Sequence, residues 1–432
     1  MSARVSPQWL YGFLLLQFAL QTSLVFPLPD AVRTASRAFV FLSSIACLAL
    51  LPGRGAGYPL RYLVAAILGI VALELLHPGL NTPLAGLAQN AMYVAIWGPV
   101  FWVGRVAITP RVLGNVMLLL WGFHTASAAL GMLQVYDPAR FAPAADFVQR
   151  MSGAYAEGLK VELSGGDKIF RPFGLTDTPG GAAASGSFAG FVGLILVGGR
   201  VRILQISGLA SVVIGMFCIY LCHVRSILVV TGVSFFGLIV AFAAQGQVYR
   251  AARIGVAAAI AAVGGFLWAS SVGAGVGERF ATLIEEDPGR VYYANRGSFL
   301  ESTLEEDLPN APLGTGLGRY GMMHAYFGAS DNPDSPPLWV EIQPTAWVYD
   351  GGIFLLVTGY AAVVGALVIA GRLAMRATDE SLAALAAAVA AFDLSILVNT
   401  AAYCNFLSQG GMLFWILNAA LYAACSDPAR RS

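Results

Sequence analysis

The sequence predicts an all-α polytopic membrane protein with about twelve transmembrane helices in one integral membrane domain, residues 1–432. Of these residues, 57% are hydrophobic and only 11% are charged, too few to cover a soluble domain of this length. A helix needs about 20 apolar residues to cross the hydrocarbon core of a bilayer. By that criterion we place twelve spans, at 8–26, 36–52, 62–77, 88–105, 112–136, 177–199, 202–222, 226–245, 253–272, 338–371, 380–402 and 408–425.

The arginines predict which loops lie inside the cell and which lie outside. If the N-terminus is cytoplasmic, paired arginines fall in the inner loops and at their edges, as the positive-inside rule requires. Both termini then lie in the cytoplasm, and two long polar loops, 137–176 and 273–337, lie outside. The second of these loops separates the ninth and tenth spans. The inner arginines are Arg54, Arg61, Arg105, Arg111, Arg200, Arg202, Arg250, Arg253, Arg372, Arg376, Arg430 and Arg431.

The basic residues also indicate which ligands to expect. The chain has 23 Arg and 2 Lys, and no basic cluster stands clear of the apolar segments, so binding of nucleic acid is not expected. A guanidinium group binds phosphate or carboxylate through two parallel hydrogen bonds and keeps its charge. The five cysteines have no paired metal-ligand spacing and are expected to be small buried side chains.

Two outer arginines are predicted to lie at the same depth. Arg171 ends the first long outer loop just before the sixth span, and Arg225, in CHVRSILVV, begins the eighth span. A single arginine at a helix end is often an anchor that reaches to the membrane surface. However, topology does not favour arginine on the outer face, and a phosphate-bearing lipid headgroup would give both side chains a partner.

The second long loop, 273–337, is predicted to contain a short amphipathic helix at 298–308. Ser298 and Glu301 have the spacing of a capping box, and Arg296 would lie at the helix start. The segment GTGLG, Gly314 to Gly318, follows no predicted strand, which favours a tight turn over a nucleotide site. The apolar stripe of this helix consists of Phe299, Leu300, Leu304 and Leu308.

The predicted spans also place the tryptophans and three intramembrane polar residues. Trp9, Trp97, Trp102, Trp268, Trp339 and Trp415 lie near predicted membrane interfaces and are expected to be anchors. Asp393, Glu74 and His124 fall inside spans. Each of these three is either functional or part of a hydrogen-bonded contact between helices.

The order of these motifs resembles the O-antigen ligase and polymerase superfamily, over roughly residues 90–425. The motifs are RPFGLTDTP with Arg171, RSIL with Arg225, Arg296 eighteen residues before GTGLG, and then a span with YDGGIF. The resemblance implies a GT-C-like glycosyltransferase bundle in the bacterial inner membrane. Such an enzyme takes glycans from undecaprenyl diphosphate at the periplasmic face, where the active site would lie.

The resemblance also implies roles for particular residues. Arg171 and Arg225 would hold the diphosphate, and Arg296 or Arg290, with Arg279 from the same loop, would close over donor or acceptor. Where the family commonly has His-Asn, about eleven residues before a glycine, this chain has Glu341. A carboxylate can still act as the general base of inverting transfer, and His324 is the alternative base. Fixed arginines can replace a metal ion at the diphosphate, so neither a metal nor another cofactor is predicted.

The leading functional hypothesis is a Wzy-type polymerase, such as a xanthan-type exopolysaccharide polymerase. Undecaprenyl-diphosphate-linked oligosaccharide would be both donor and acceptor, and the partners would be membrane lipids, a flippase and chain-length or export proteins. A ligase that moves glycan onto lipid A or a protein shares the donor chemistry and remains open. A transporter or lipid flippase is the alternative from another class. It would show related halves and broken helices with polar groups near the midplane, and Asp393 is the residue that most favours it.

Overall fold

The computed structural model describes residues 4–53, 55–141, 160–162, 168–176, 178–272, 275–277, 280, 285 and 287–426. Over these residues the chain is almost entirely helical, and two three-residue strands, β1 (Lys160–Glu162) and β2 (Lys168–Phe170), pair antiparallel. The first eleven helices are α1 (Gln8–Ser23), α2 (Asp30–Leu50), α3 (Arg61–Leu73), α4 (Pro83–Trp97), α5 (Pro99–Trp102), α6 (Pro110–Tyr136), α7 (Pro138–Phe141), α8 (Gly181–Val197), α9 (Arg202–Leu221), α10 (Arg225–Ala244) and α11 (Val248–Val272).

The remaining helices follow the long polar segment after α11. They are α12 (Pro288–Tyr292), α13 (Ser298–Ser302), α14 (Leu308–Asn310), α15 (Gly321–Phe327), α16 (Gln343–Arg376), α17 (Glu380–Asn399) and α18 (Gln409–Cys425). Three 3-10 turns, Glu74–Leu76, Val103–Arg105 and Asn405–Leu407, complete the described elements.

Seven of the described helices are long and apolar enough to cross a membrane: α2, α6, α9, α10, α11, α16 and α17. The chain is therefore a multi-pass helical membrane protein. A helix lies at each of the twelve predicted spans, but α1, α3, α4, α8 and α18 have only 13 to 17 residues. At about 1.5 Å per residue they are shorter than a hydrocarbon core of about 30 Å, so twelve crossings remain a prediction.

Contacts between residues at the helix termini show which termini lie together at each end of the bundle. At one end, the Gln245 side chain at the close of α10 donates to the carbonyl oxygens of Ala374 (3.1 Å) and Ala383 (3.2 Å). Arg200 pairs with Glu380 at the same end. We call it the arginine end, because it holds arginines that the sequence assigned to the cytoplasm. Which side of the membrane it faces remains a prediction.

The opposite end, the loop end, gathers the polar segments. The backbone N–H of Gln343, at the start of α16, donates to Thr400 O after α17 (3.0 Å). The Asn81 side chain, between α3 and α4, donates to Ser335 O in the second long loop (2.7 Å). All described loop residues with a predicted catalytic role therefore belong to this end.

The amphipathic helix of the second long loop is longer than predicted. Its three α-helical pieces, α12 to α14, are joined by π-helical turns at Tyr293–Gly297 and Thr303–Asp307, so the backbone is helical over residues 288–310, the loop helix. Asp287 caps it, because its carboxylate accepts from the backbone of Gly289 (2.7 Å) and Arg290 (3.2 Å). The predicted capping box is wrong. Ser298 lies inside the helix, and Glu301 accepts from the Tyr293 hydroxyl instead.

The tryptophans divide into two groups. Trp9, Trp268 and Trp339 are exposed, as interfacial anchors would be. The prediction is wrong for Trp97, Trp102 and Trp415, which are fully buried. The rings of Trp97 and Trp415 have centroids 4.8 Å apart, so α4 and α18 meet through large aromatic side chains in the core.

Candidate active site

Arg171 is held at the start of α8 by the segment that follows it. The backbone N–H groups of Phe173 and Gly174 donate to the Gln134 side-chain oxygen on α6, at 2.8 and 2.9 Å. Leu175 N donates to the hydroxyl of Ser127, also on α6, at 3.0 Å. The RPFG segment is thus fixed against α6, and this fixes the backbone from which the half-buried Arg171 side chain extends.

Arg225 is the first residue of α10 and lies next to the same place. A Cβ placed on Gly180, the N-cap of α8, would lie 3.3 Å from Val224 Cγ2 and 3.9 Å from Arg171 Cδ. The side chain of Arg171 and the residue before Arg225 therefore flank one glycine. No described side chain caps α10, so the partial positive charge of its N-terminus adds to the two guanidinium charges. The structure thus brings Arg171 next to the start of α10, the helix that Arg225 begins, in a setting that favours an anion.

The predicted base Glu341 lies against the predicted substrate-binding residue Arg296. Arg296 Nη1 pairs with Glu341 Oε2, and the two side chains are 36% and 18% exposed, respectively. The indole N–H of Trp339 donates to the other carboxylate oxygen, Oε1, at 3.0 Å. Glu341 is thus a half-buried carboxylate in the short segment between the second long loop and the start of α16 at Gln343. Its two oxygens have one charged and one neutral donor.

Both arginine sites lie at the loop end. A Cβ atom placed on Gly237 of α10 would contact Leu394 (3.2 Å) and Ala391 (3.4 Å) of α17. The two helices run antiparallel, because Gln245, at the end of α10, contacts Ala383, near the start of α17. Arg225 lies at the start of α10, about 18 Å along the helix axis from Gly237. It therefore lies toward the C-terminal end of α17, which is at the loop end. Glu341 lies at the same end, because it precedes Gln343, whose backbone N–H donates to Thr400 O after α17 at 3.0 Å.

A buried carboxylate that the sequence analysis did not select links the second long loop to α16. Asp350 has no exposed surface, and both of its oxygens lie 2.7 Å from the Gln89 side-chain nitrogen. The hydroxyls of Tyr93 (2.7 Å) and Tyr320 also donate to it. Gln89 in turn accepts from the backbone N–H of Gly318 (2.8 Å). Burial and the charge of Asp350 raise the pKa of Tyr320 well above its ordinary value, so this hydroxyl remains a donor.

Helix α16 is broken immediately after Asp350. Gly352 has φ 58° and ψ −147°, a conformation that is essentially restricted to glycine. The second loop fills the break, since Ile353 N donates to Pro312 O (2.9 Å) and Thr315 N donates to Tyr349 O (2.8 Å). A Cβ on Gly352 would clash with the Pro312 carbonyl oxygen. The GTGLG segment is therefore a turn, as predicted, and it is docked on the broken helix.

The other predicted site residues have separate surroundings. The ring nitrogens of His324 lie 3.3 Å from Gly318 O and 3.3 Å from the Ser330 hydroxyl, within the second loop. Arg290 is exposed in the first turn of the loop helix. Arg279 lies outside the described residues. The base role of His324 and the substrate roles of Arg290 and Arg279 remain predictions.

The intramembrane polar residues contact neighbouring elements. Asp393 of α17 accepts from the Asn418 side chain of α18 (2.7 Å), and His124 of α6 lies 3.3 Å from the Ser185 hydroxyl of α8. The side chain of Glu74 packs against the GTGLG turn, with Oε2 2.8 Å from a Cβ placed on Gly314. These are the contacts between packed elements that the sequence analysis gave as the structural alternative.

One signal in the sequence does identify Asp350. A carboxylate within a long apolar segment is by default a candidate for a special role, and the tenth predicted span contains this one directly before two glycines. The same rule selects Asp393 and Glu74, both of which the structure places in contacts between packed elements.

No metal cluster is found among the described residues, where no three His, Cys, Asp or Glu side chains group together. The absence of a metal requirement remains a prediction. A scan against protein-family models finds no family that matches this chain, and a search of curated proteins finds no match.

Proposed function

We propose that this protein is an inverting glycosyltransferase that polymerises undecaprenyl-diphosphate-linked oligosaccharide at the periplasmic face of a bacterial inner membrane. The observation that carries the proposal is the meeting of Arg171 with the uncapped, arginine-bearing start of α10. The Arg296–Glu341 pair at the same end of the bundle supplies a carboxylate for the transfer step.

The arginine site has the charge that a diphosphate leaving group requires. As the bond between the sugar and the diphosphate breaks, its electron pair moves to the phosphate oxygen. Fixed guanidinium groups stabilise the developing charge, because they need no reorganisation at the moment of reaction. Arg171 and Arg225 would bind the phosphates through charge-assisted hydrogen bonds, and the lipid chain would lie against the apolar helices beside them.

Glu341 would act as the general base. It takes the proton from the acceptor hydroxyl while that oxygen bonds to the anomeric carbon on the face opposite the diphosphate. The carboxylate then carries the proton and the diphosphate carries the negative charge, so charge and atoms balance. In the resting site Arg296 pairs with Glu341, and this ion pair must open as the acceptor enters.

One observation favours the transport alternative. Helix α16 is broken at Gly351 and Gly352, and discontinuous helices are a feature of secondary transporters. Here, however, the break lies only nine residues from the helix start, and the backbone of Pro312 and Thr315 fills it. The break thus joins a loop to the bundle, whereas a transporter leaves such groups facing a substrate cavity near the midplane.

The test uses purified protein reconstituted with lipid-linked oligosaccharide extracted from cells that lack it. Wild type is expected to produce a ladder of longer lipid-linked glycans. Arg225→Ala is expected to lower the initial rate by about 100-fold or more, the usual cost of removing one preorganised charge-stabilising donor. Arg202→Ala is the matched control, because Arg202 likewise follows a valine and begins an uncapped helix, but at the arginine end. Its rate should equal that of wild type.

Three results would contradict the proposal. No ladder without an added acceptor, but glycan transfer to added lipid A, would establish the ligase. Wild type could instead move intact lipid-linked oligosaccharide across the vesicle membrane without elongating it. If Asp393→Asn abolished this movement, transport would be established. Equal rates for Arg225→Ala and wild type would show that Arg225 does not stabilise the diphosphate leaving group.

A further inference from the structure

We propose that the arginine end binds the phosphate headgroup of an anionic phospholipid at the turn between α8 and α9. Three arginines, Arg200, Arg250 and Arg253, meet at this turn, which consists of residues 198–201. The inference does not depend on the proposed function, because the turn lies at the end of the bundle opposite to Arg171 and Glu341.

Two arginines of α11 contact the turn through neutral groups. Arg253 Nη2 donates to the carbonyl oxygens of Val197 and Gly199, the latter at 3.5 Å. Arg250 lies against the residue between them, since a Cβ placed on Gly198 would lie 2.8 Å from Arg250 Nε. The carbonyl groups at the end of a helix carry only partial negative charge, so both guanidinium groups leave most of their positive charge at the turn.

Arg200 lies in the turn itself and adds a third positive charge. It pairs with Glu380 at the start of α17, where the two side chains are 86% and 54% exposed. Among the described residues, no acidic side chain pairs with Arg250 or Arg253. The turn therefore gathers three positive charges and one negative charge. Guanidinium groups suit phosphate, because they bind it through two parallel hydrogen bonds.

Exposed apolar side chains lie directly beside these charges. Ile203 follows Arg200 by three residues and is 71% exposed, and Ile206, one turn further along α9, is 62% exposed. Tyr249, directly before Arg250, is 81% exposed. Basic pockets between transmembrane helices bind anionic headgroups, and acyl chains cover the apolar surface beside them. A molecule with a phosphate and acyl chains matches both parts, whereas a free phosphate would match the charges alone.

The experiment titrates full-length protein in a neutral detergent with phosphatidylglycerol and measures the Kd of the first bound lipid by native mass spectrometry. Wild type is expected to bind it more tightly than phosphatidylcholine with the same acyl chains. Arg253→Gln is expected to weaken binding by about 5-fold, the effect of one basic residue near an anionic headgroup. Glutamine can still donate to the two carbonyl oxygens. Arg105→Gln is the matched control and should bind as wild type does. Arg105 likewise donates to two carbonyl oxygens at a helix end, Leu48 O (2.9 Å) and Leu51 O (2.8 Å).

A second variant changes the affinity in the opposite direction. Glu380→Gln removes the one acidic partner at the turn and should tighten binding of phosphatidylglycerol, a result that a damaged fold cannot produce. Equal affinity of wild type for the two lipids would overturn the proposal. So would an equal loss in Arg105→Gln, because the attraction would then come from charge anywhere on the arginine end. Inorganic phosphate is the last probe. If it binds wild type as tightly as phosphatidylglycerol does, the site holds a free anion and the lipid is excluded.

Discussion

Replacing Asp350 with alanine is expected to lower the free energy of unfolding by about 3 kcal/mol or more. The side chain has no exposed surface and accepts from the amide of Gln89 and the hydroxyls of Tyr93 and Tyr320. Alanine would leave these donors buried without an acceptor. The cost is then the full desolvation of each donor, which exceeds the net value of an ordinary hydrogen bond.

Unfolding of the purified protein in one detergent, followed by circular dichroism, measures this loss. Asp331→Ala is the matched control, because Asp331 is an exposed carboxylate in the second long loop, and surface substitutions usually change stability by less than about 0.5 kcal/mol. Asp350→Asn should fall between them, since the amide oxygen still accepts while its NH2 group can donate to a tyrosine oxygen. Equal stability of Asp350→Ala and wild type would show that the network contributes nothing.

The Asp350 network also bears on the proposed chemistry. The loop helix carries Arg296 and leads directly into the Gly314–Gly318 turn, which is docked on α16 through Gln89 and the backbone of Tyr349. Thr303 on the loop helix lies 2.6 Å from Thr345 on α16, hydroxyl to hydroxyl. These contacts attach the loop helix, which carries Arg296, to α16, which begins two residues after Glu341. We therefore expect Asp350 to act as a positioning residue, because it is fully buried and ties the segment after the loop helix to α16 through Gln89 and Tyr320.

The seven long apolar helices could be predicted from the sequence because a bilayer imposes a local rule. Every backbone polar group within hydrocarbon must be satisfied inside its own helix, so a run of apolar residues is sufficient information. The same rule explains why α6, α9 and α10 lie within two residues of their predicted bounds. The start of the loop helix could not be found this way. Asp287 and Ser298 are both good caps, and only the folded backbone shows that Asp287 caps the helix.

The Asp350 network had no comparable local signal. Its partners Gln89 and Tyr93 lie more than 250 residues earlier in the chain, and no spacing rule joins them to α16. Sidedness did place Arg171 and Arg225 at one depth, because each precedes a predicted span on the same side. That Arg171 and Val224, the residue before Arg225, both flank Gly180 follows from the packing of α8 against α6 and α10, and it could not be read from the sequence.

Replacing Glu341 with glutamine is expected to lower kcat by about 100-fold or more while KM for the lipid-linked donor changes little. Glutamine is nearly isosteric and can still accept from Trp339 through its amide oxygen, but it cannot take the acceptor proton. Glu305→Gln is the matched control, since Glu305 is an exposed carboxylate on the loop helix. It should retain the wild-type kcat.

The pair of constants decides what Glu341 does. A loss confined to kcat means that the carboxylate acts in the transition state, as a base must. A rise in KM for the lipid-linked oligosaccharide at constant kcat would instead mean that Glu341 only holds Arg296 and Trp339 in place for binding. The base would then have to be sought elsewhere at the loop end. His324→Gln, assayed in parallel, tests the one other base that the sequence predicted. Its ring already contacts Gly318 and Ser330, so we expect a smaller loss of kcat than for Glu341→Gln.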